Sequence, residues 1–409
     1  MNKKIYYARA VYNNKEIAAS LNVLKNNSLT LMDGKNVKKF ENKIAKLFGK
    51  KFALMVNSGS SANLLALASL NLKKNDEVIT PTLTFSTTVS PIYQLGLIPK
   101  FIDIEKNTYV ADIKKLFNAI NKKTKAIIIP NLLGNLPDWK NIKAFCKRKN
   151  IHLLEDSADT IGYSLYGKNT GKYSDIVTTS FYASHIITGA GFGGMVCFNN
   201  REQYLKAKVL RAWGRSSALY NESEGLKDRF SKDKLNFRYD KKYVFLEFGY
   251  NFLPSEISAA FALEQLKKLK NNFKIRVSNF NYLKNMLLEN NQFFEIPDQK
   301  KYTKTCWLAF PILIKKNSFF TRENLQTFLE TNKIQTRAIF SGNVLKQPLM
   351  KKKKYIKTPQ CDVESNYVMK NGILIGCHHG LKINDLKYIK KTIERFLSIV
   401  VKTNNYKKI

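Results

Sequence analysis

In the segment VKKFENKIAKL, apolar residues fall at Val37, Phe40, Ile44 and Leu47, a three-and-four spacing that lines one face of a helix. The next segment, KKFALMV, is a short unbroken apolar run and reads as a buried strand. The alternation then repeats. NSGSSANLLALASL reads as a helix starting at a glycine, DEVITP as a strand, FSTTVSPIYQLG as a helix, PKFIDI as a strand, IKKLFNAI as a helix and KAIIIPNLLG as a strand, with IKAFCKRKN and IHLLEDSA continuing the series. Strand and helix in turn, with short connections, predict an α/β fold whose mostly parallel sheet is covered on both faces.

Further on the pattern changes. GYNFLPSEISAAFALEQLKKLKNNFKIRVSNFNYLKNMLLENN reads as long helical material, followed by WLAFPILI, a helix near ENLQTFLETN and a closing helix at INDLKYIKKTIERFLSIV. We therefore expect a large domain over residues 1–275 and a smaller α+β domain over 276–409.

The formal charge of +38 raises nucleic-acid binding as a candidate. Most of that charge is lysine, in polar stretches such as Lys122–Lys125 and Lys351–Lys354, and no recognition motif accompanies it. The expectation is attraction of small anionic substrates, with no nucleic-acid partner. The start of the chain lacks a signal-peptide pattern, and no apolar run reaches bilayer length, so a cytoplasmic protein without a membrane partner is expected. Cys146, Cys197, Cys306, Cys361 and Cys377 are scattered and read as free thiols, and with His152, His185, His378 and His379 as the only histidines a metal cluster is hard to build.

Three segments carry candidate chemistry. Asn57 to Asn63, NSGSSAN, lies where a strand ends and a helix begins; small residues there suit a phosphate, or simply a helix cap. IHLLEDSADTIG places Asp156 and Asp159 at a strand exit, where an acid can hold a pyridinium nitrogen protonated, bind magnesium, or face solvent. SFYASHIIT, followed by GAGFGG, sets His185 before an apolar pair, a setting that fits a structural histidine as well as a proton carrier.

Together these segments, with PTLTFSTT, RAWGR, GYNFLPSEISAAFALEQL and NGILIG, resemble the DegT/DnrJ/EryC1/StrS family of pyridoxal-phosphate-dependent sugar aminotransferases over nearly the whole chain. The resemblance implies a pyridoxal-phosphate-dependent transferase fold of type I, aspartate aminotransferase-like. It implies that Gly59, Ser60 and Ser180 hold the cofactor phosphate, that Phe85 stacks on the ring, that Asp156 pairs with the ring nitrogen and that Asp159 lies near the ring hydroxyl. Asn251 would reach the phosphate of a neighbouring subunit, in a homodimer with shared active sites. Arg211, Trp213, Arg215 and Arg337 are candidate contacts for the substrate or its diphosphate, since guanidinium pairs bidentately with such oxygens.

One departure decides what chemistry is open. Relatives end the S-F-x-x-x-K segment with a lysine; here the position holds His185, and imidazole cannot make the covalent link that lysine makes to the cofactor. Either the chain is inert or His185 moves protons. Its setting is similar to that of the nucleotide-sugar 3-dehydratases within the family. That likeness implies pyridoxal and pyridoxamine phosphate as cofactors, L-glutamate as amino donor, and a 4-keto-6-deoxy sugar, GDP-linked rather than CDP-linked, as the partner that loses its C3 hydroxyl in deoxysugar biosynthesis for surface polysaccharide. A CDP-sugar class within the family adds an iron–sulfur cluster through cysteines just after WGR. Here AWGRSSALYNESEG has none, so no cluster is expected. The other readings are a nucleotide-sugar aminotransferase and a non-catalytic cofactor-binding homologue.

Overall fold

The computed structural model describes residues 4–26, 31–220, 229–231 and 235–406. Residues 221–225, which end the AWGRSSALYNESEG stretch, lie outside the described residues, as do the two chain ends.

The predicted strands gather into one eight-stranded sheet. Its spatial order is Phe52–Val56, Gly194–Phe198, Ile176–Ser180, His152–Asp156, Thr124–Pro130, Glu77–Pro81, Ile98–Ile102 and Ile356–Lys357. Neighbouring pairs are parallel except at Gly194–Phe198, which runs antiparallel to both Phe52–Val56 and Ile176–Ser180. The α/β class with a mostly parallel mixed sheet is thus as expected.

The unbroken apolar strands have a simple cause. Side chains of a strand alternate between faces, and here both faces are covered. Met55, Ile127, Ile129, Leu153, Val177 and Cys197 pack with Phe40, Ile44 and Phe48 of the helix Lys35–Phe48 and with Trp139 and Ala259. Leu54, Val56, Ile128, Leu154, Ile176 and Val196 turn the other way, onto Ala62, Leu65 and Ala66 of the helix Gly59–Ala68 and onto Leu210.

A single helix, Glu256–Glu289, passes through position 275 without a break. Its first half packs on the large sheet through Ala259, Ala262 and Leu263, and its last turns, with Phe280, Leu283 and Leu287, join the core of a four-stranded antiparallel sheet. That sheet orders Phe294–Glu295, Phe310–Ile314, Gly372–Ile375 and Arg337–Ala338. Two segments cross between the units: Ile356–Lys357 is an edge strand of the large sheet, and Ile5 bridges to Ile334.

Two carboxylates fix these parts by capping helices from a distance. The N-terminus of Lys35–Phe48 has a glycine at its cap and no side-chain bond of its own. Glu256, fully buried, accepts from the Asn36 amide at 3.0 Å, the Asn36 side chain at 2.8 Å and the Val37 amide at 2.8 Å. Asp103 does the same for Val363–Asn371, accepting from the Glu364 amide at 2.7 Å and the Ser365 amide at 3.0 Å. Helix-terminal amides have no partner within the helix, and a negative group there also meets the positive end of its dipole.

Glu256→Gln should lower the stability of the protein by about 1.5–3 kcal/mol, the range for hydrogen bonds to a charged group. Glu264→Gln, on the same helix but with its carboxylate in an ion pair to the exposed Lys267, should cost under about 1 kcal/mol. Urea unfolding of the two variants compares them; equal effects would show that the buried cap carries no special weight.

Candidate active site

Four parallel strands end on the same side of the sheet, and the expected site residues lie at those ends. Asn57–Ser60 follow Phe52–Val56, Phe85 follows Glu77–Pro81, Asp156 closes His152–Asp156 and Ser180 closes Ile176–Ser180. Crevices outside the carboxyl ends of such strands are where α/β sheets bind ligands.

Strand alternation assigns the two acids of Glu155–Asp156 to opposite faces. Asp156 shares its face with Leu154 and points toward the helices Gly59–Ala68 and Ser86–Gln94. There its Oδ2 accepts from Asn63 Nδ2 at 2.9 Å and from Thr88 Oγ1 at 2.8 Å, while Oδ1 accepts from the Ala158 amide at 3.2 Å. Asn63 is itself oriented by Thr178, whose hydroxyl donates to its Oδ1 at 2.5 Å. Burial pushes the Asp156 carboxyl up, and these three donors pull it back. Glu155, on the far face, is held by Asn131, Ser157 and Ser174.

The phosphate turn is shaped by close packing. Ser58 caps the helix Gly59–Ala68, its Oγ accepting from the Ser61 amide at 3.1 Å. A β-carbon at Gly59 would lie 2.7 Å from Cβ of Ser180, so the turn and the strand end touch only because residue 59 is a glycine. At Gly194 a β-carbon would come within 2.3 Å of the Ser58 carbonyl, which the antiparallel strand must pass. Ser60 is exposed at this helix end and Ser180 half-buried beside it. Phe85 is 51% exposed, touching Phe340 edge-on at 6.5 Å.

His185 sits on the loop after Ser180. Phe181 is buried against Phe40, and Ile186 and Ile187 are buried too, so the apolar neighbours anchor the loop while the histidine between them faces inward. Its Nδ1 lies 3.9 Å from Oδ1 of Asp159, too far for a hydrogen bond, and has no other partner. The other oxygen of Asp159 accepts from the Leu133 amide at 2.9 Å. Burial lowers His185 to about 4, helped by the positive Arg276. Burial, with the nearby Asp156, raises Asp159 to about 8. Near neutral pH this is a neutral imidazole beside a protonated carboxyl, not an ion pair.

The remaining expected residues divide. Arg211 is buried, with Nη2 2.5 Å from Asp33, Nη1 3.5 Å from Glu41 and 2.8 Å from the Met55 carbonyl. The expectation of a substrate contact fails for it: two carboxylates already hold its charge inside the protein. Trp213 and Arg215 stack on each other at 4.2 Å. Asn251 is exposed and bridges to Ala212, and the Asn57 amide donates to Phe252 at 3.2 Å, so this group borders the phosphate turn. Arg337 is exposed, 6.0 Å over the ring of Tyr7. Asn63, Thr88 and Tyr7 were not anticipated. Asn63 and Thr88 read in the sequence as ordinary helix residues, and Tyr7 lies far from any motif.

Residues 11–394 match the model of the DegT/DnrJ/EryC1/StrS aminotransferase family. The chain belongs to this family. Within it, the chain is 35% identical to GDP-4-keto-6-deoxy-D-mannose 3-dehydratase of Yersinia pseudotuberculosis, over 91% of this chain and 93% of the relative. It is 33% identical to dTDP-4-dehydro-2,6-dideoxy-D-glucose 3-dehydratase of Saccharopolyspora spinosa, over 90% of this chain and 82% of that one. A crystal structure of GDP-4-keto-6-deoxymannose-3-dehydratase with a trapped PLP-glutamate geminal diamine superposes with a TM-score of 0.85 at 32% identity, covering 95% of this chain and 99% of the other.

The pH dependence of the cofactor-free protein tests the acid pair. Asp159 in the folded state keeps its proton up to about 8, whereas the unfolded chain releases it near the ordinary carboxylate value. Folding therefore loses stability as pH rises toward 8. Asp159→Asn has no such proton, so its melting temperature should fall less than wild type between pH 6 and 8.5. His185 works in the opposite direction, weakening the fold as pH drops from 6.5 toward 4.

Proposed function

We propose that this chain is a pyridoxal/pyridoxamine phosphate-dependent 3-dehydratase of a GDP-linked 4-keto-6-deoxy sugar. It takes its amino group from L-glutamate and serves deoxysugar synthesis for surface polysaccharide in the cytoplasm. The observation that carries this reading is His185: a buried, neutral imidazole at the position where aminotransferases of the family need a lysine. The named 3-dehydratases among its relatives support the reaction class, and the GDP-sugar enzymes support the nucleotide. No helix among the described residues is long and apolar enough to cross a membrane.

The pocket fits the cofactor. Oδ1 of Asp156 accepts only one bond and has room for a ring N–H. The exposed face of Phe85 is free to stack, and Gly59 leaves open the space that a side chain would fill at the phosphate turn. When bound, the cofactor supplies an electron sink that makes protons on the attached carbon acidic. The chain's residues then have separable tasks. Asp156, kept in place by Asn63 and Thr88, holds the ring nitrogen protonated. Gly59, Ser60 and Ser180 hold the phosphate. His185, neutral at working pH, accepts the proton taken from the cofactor-bound carbon and returns it to the departing C3 hydroxyl. Asp159, protonated beside it, adds no negative charge that would hold the imidazole in its charged form. Trp213, Arg215 and Arg337 are the candidate contacts for the nucleotide sugar.

Purified protein with glutamate should lose the aldehyde absorbance of its cofactor and form 2-oxoglutarate. Adding a GDP-linked 4-keto-6-deoxy sugar should then release ammonia; formation of an amino sugar would mean an aminotransferase, and no reaction with either would mean an inert homologue. His185→Asn should keep cofactor binding but slow dehydration by about a hundredfold or more, the usual contribution of a general base. Full activity in that variant would remove His185 from the chemistry.

The mouth of the site supports a homodimer. Phe192, 69% exposed, and Phe248, wholly exposed, stand on loops that meet at the phosphate turn, where Gly193 donates to Asn57 and Asn57 to Phe252. Large aromatic side chains left in water beside a ligand site are the mark of a protein contact. In such a dimer Asn251 would reach the neighbouring subunit's phosphate. Phe248→Asp should shift sedimentation toward the monomer and weaken cofactor retention; a monomeric wild type would overturn the shared-site arrangement.

A further inference from the structure

Two arginines are buried among the described residues, Arg211 at 2% exposure and Arg276 at 1%. They are treated very differently. Arg211 has Asp33 and Glu41 against its guanidinium. Arg276 has no carboxylate within ion-pair distance among the described residues: Nε donates to His379 Nδ1 at 3.3 Å, and Nη1 donates to the carbonyls of Leu308 at 2.9 Å and Trp307 at 3.4 Å. Nη2 has no partner among those residues.

The groups around Arg276 do not supply the missing charge. Burial pushes the thiols of Cys306 and Cys377 up to about 11 and 12, and raises the Tyr163 hydroxyl further still, so all three are neutral. His378 and His379 are held low, at about 4 and about 3. Because a guanidinium only donates, His379 Nδ1 must be the acceptor and its proton lies on Nε2. His379 is a neutral prop that orients the arginine. A buried cation without a counter-charge costs several kcal/mol in general, and such groups persist where a ligand supplies the partner.

Arg276 is near the reacting centre. It is one of the charges that lower His185, and it acts on Tyr7 together with Arg337 and Asp159. Tyr7 is placed by its amide, which donates to Gln335 Oε1 at 3.0 Å, and by the strand segment through Ile5, which bridges to Ile334. Its hydroxyl has no partner among the described residues. Behind it, a β-carbon at Gly376 would lie 2.9 Å from the Tyr7 carbonyl, so the N-terminal segment is seated closely on the loop that carries His378 and His379.

We infer that Arg276, held by His379 and the Leu308 carbonyl, with the Tyr7 hydroxyl beside it, forms the seat for a carboxylate of the amino donor. The inference rests on the reading of this chain as a glutamate-dependent enzyme. The carboxylate would complete the guanidinium's hydrogen bonds at Nη2 and neutralise its charge, and the hydroxyl would add a second donor. Arg276 thereby serves the first half of the reaction, in which the donor is bound, and has no task in the second, in which the keto sugar is.

The test uses the cofactor-loaded protein and glutarate, a dicarboxylate without an amino group that binds without reacting. Calorimetry should show glutarate binding to wild type. Arg276→Met should weaken it at least about tenfold, and Tyr7→Phe about threefold or more, the losses expected for a charge-assisted and a neutral hydrogen bond. GDP binding, measured in parallel, should be unchanged in both. In turnover, KM for glutamate should rise in both variants, while the single dehydration turnover of protein preloaded with pyridoxamine phosphate stays at wild-type rate.

Absence of glutarate binding to wild type, or unchanged glutarate affinity in the variants, overturns the seat. A loss of GDP binding in its place overturns it too, assigning Arg276 to the diphosphate. Should Arg276→Met fail to fold, Tyr7→Phe decides alone. Failure of the preloaded wild type to dehydrate the keto sugar would sink the proposed function without touching the calorimetric result.

Discussion

A carboxylate removed from water either finds donors or gives up its charge, and at Asp156 the structure provides the donors. Asn63, Thr88 and the Ala158 amide come from two helices and a turn that are separate in sequence, and they converge because the strand His152–Asp156 lies next to Ile176–Ser180 in the sheet. Through Asn63 the same network reaches Thr178 on that neighbouring strand. Moving any one of these elements would leave a buried acid short of partners, so the position of the site and the packing of the sheet are one constraint.

Three residues along, the same physics has the opposite outcome. Asp159 accepts a single bond from the Leu133 amide and lies beside Asp156, and it takes up a proton in preference to holding a charge. His185, 3.9 Å away, loses its proton for the same reason. Burial therefore sorts two carboxyls and an imidazole into three roles: one charged acceptor for a ring nitrogen, one neutral acid and one free base. Arg211 and Arg276 repeat the contrast in cations, since one is matched inside the protein and the other is left for something that binds.

Much of this was legible in the order of residues. Repeated short apolar runs and helical stripes gave the α/β class, because a strand covered on both faces cannot show a polar alternation. The segments around Gly59, Asp156, Ser180 and His185 stood out because a strand end followed by small or acidic residues is a local signal. Even the departure at His185 was visible, being a change of residue type at a fixed place in a motif.

Other features had no local trace. Nothing in RAWGR distinguishes Arg211, which turns inward to Asp33 and Glu41, from Arg215, which stacks on Trp213; the difference lies in which helix face each occupies after folding. Asn63 and Thr88 become part of the site through strand order, and Tyr7 through a bridge between the chain's beginning and Ile334. Sequence by itself determined the class of fold, the family motifs and the histidine that replaces a lysine, since each rests on residues close together in the chain. Tertiary structure alone decided which charges are matched and which protons are held, because desolvation depends on neighbours that the chain brings in from a distance.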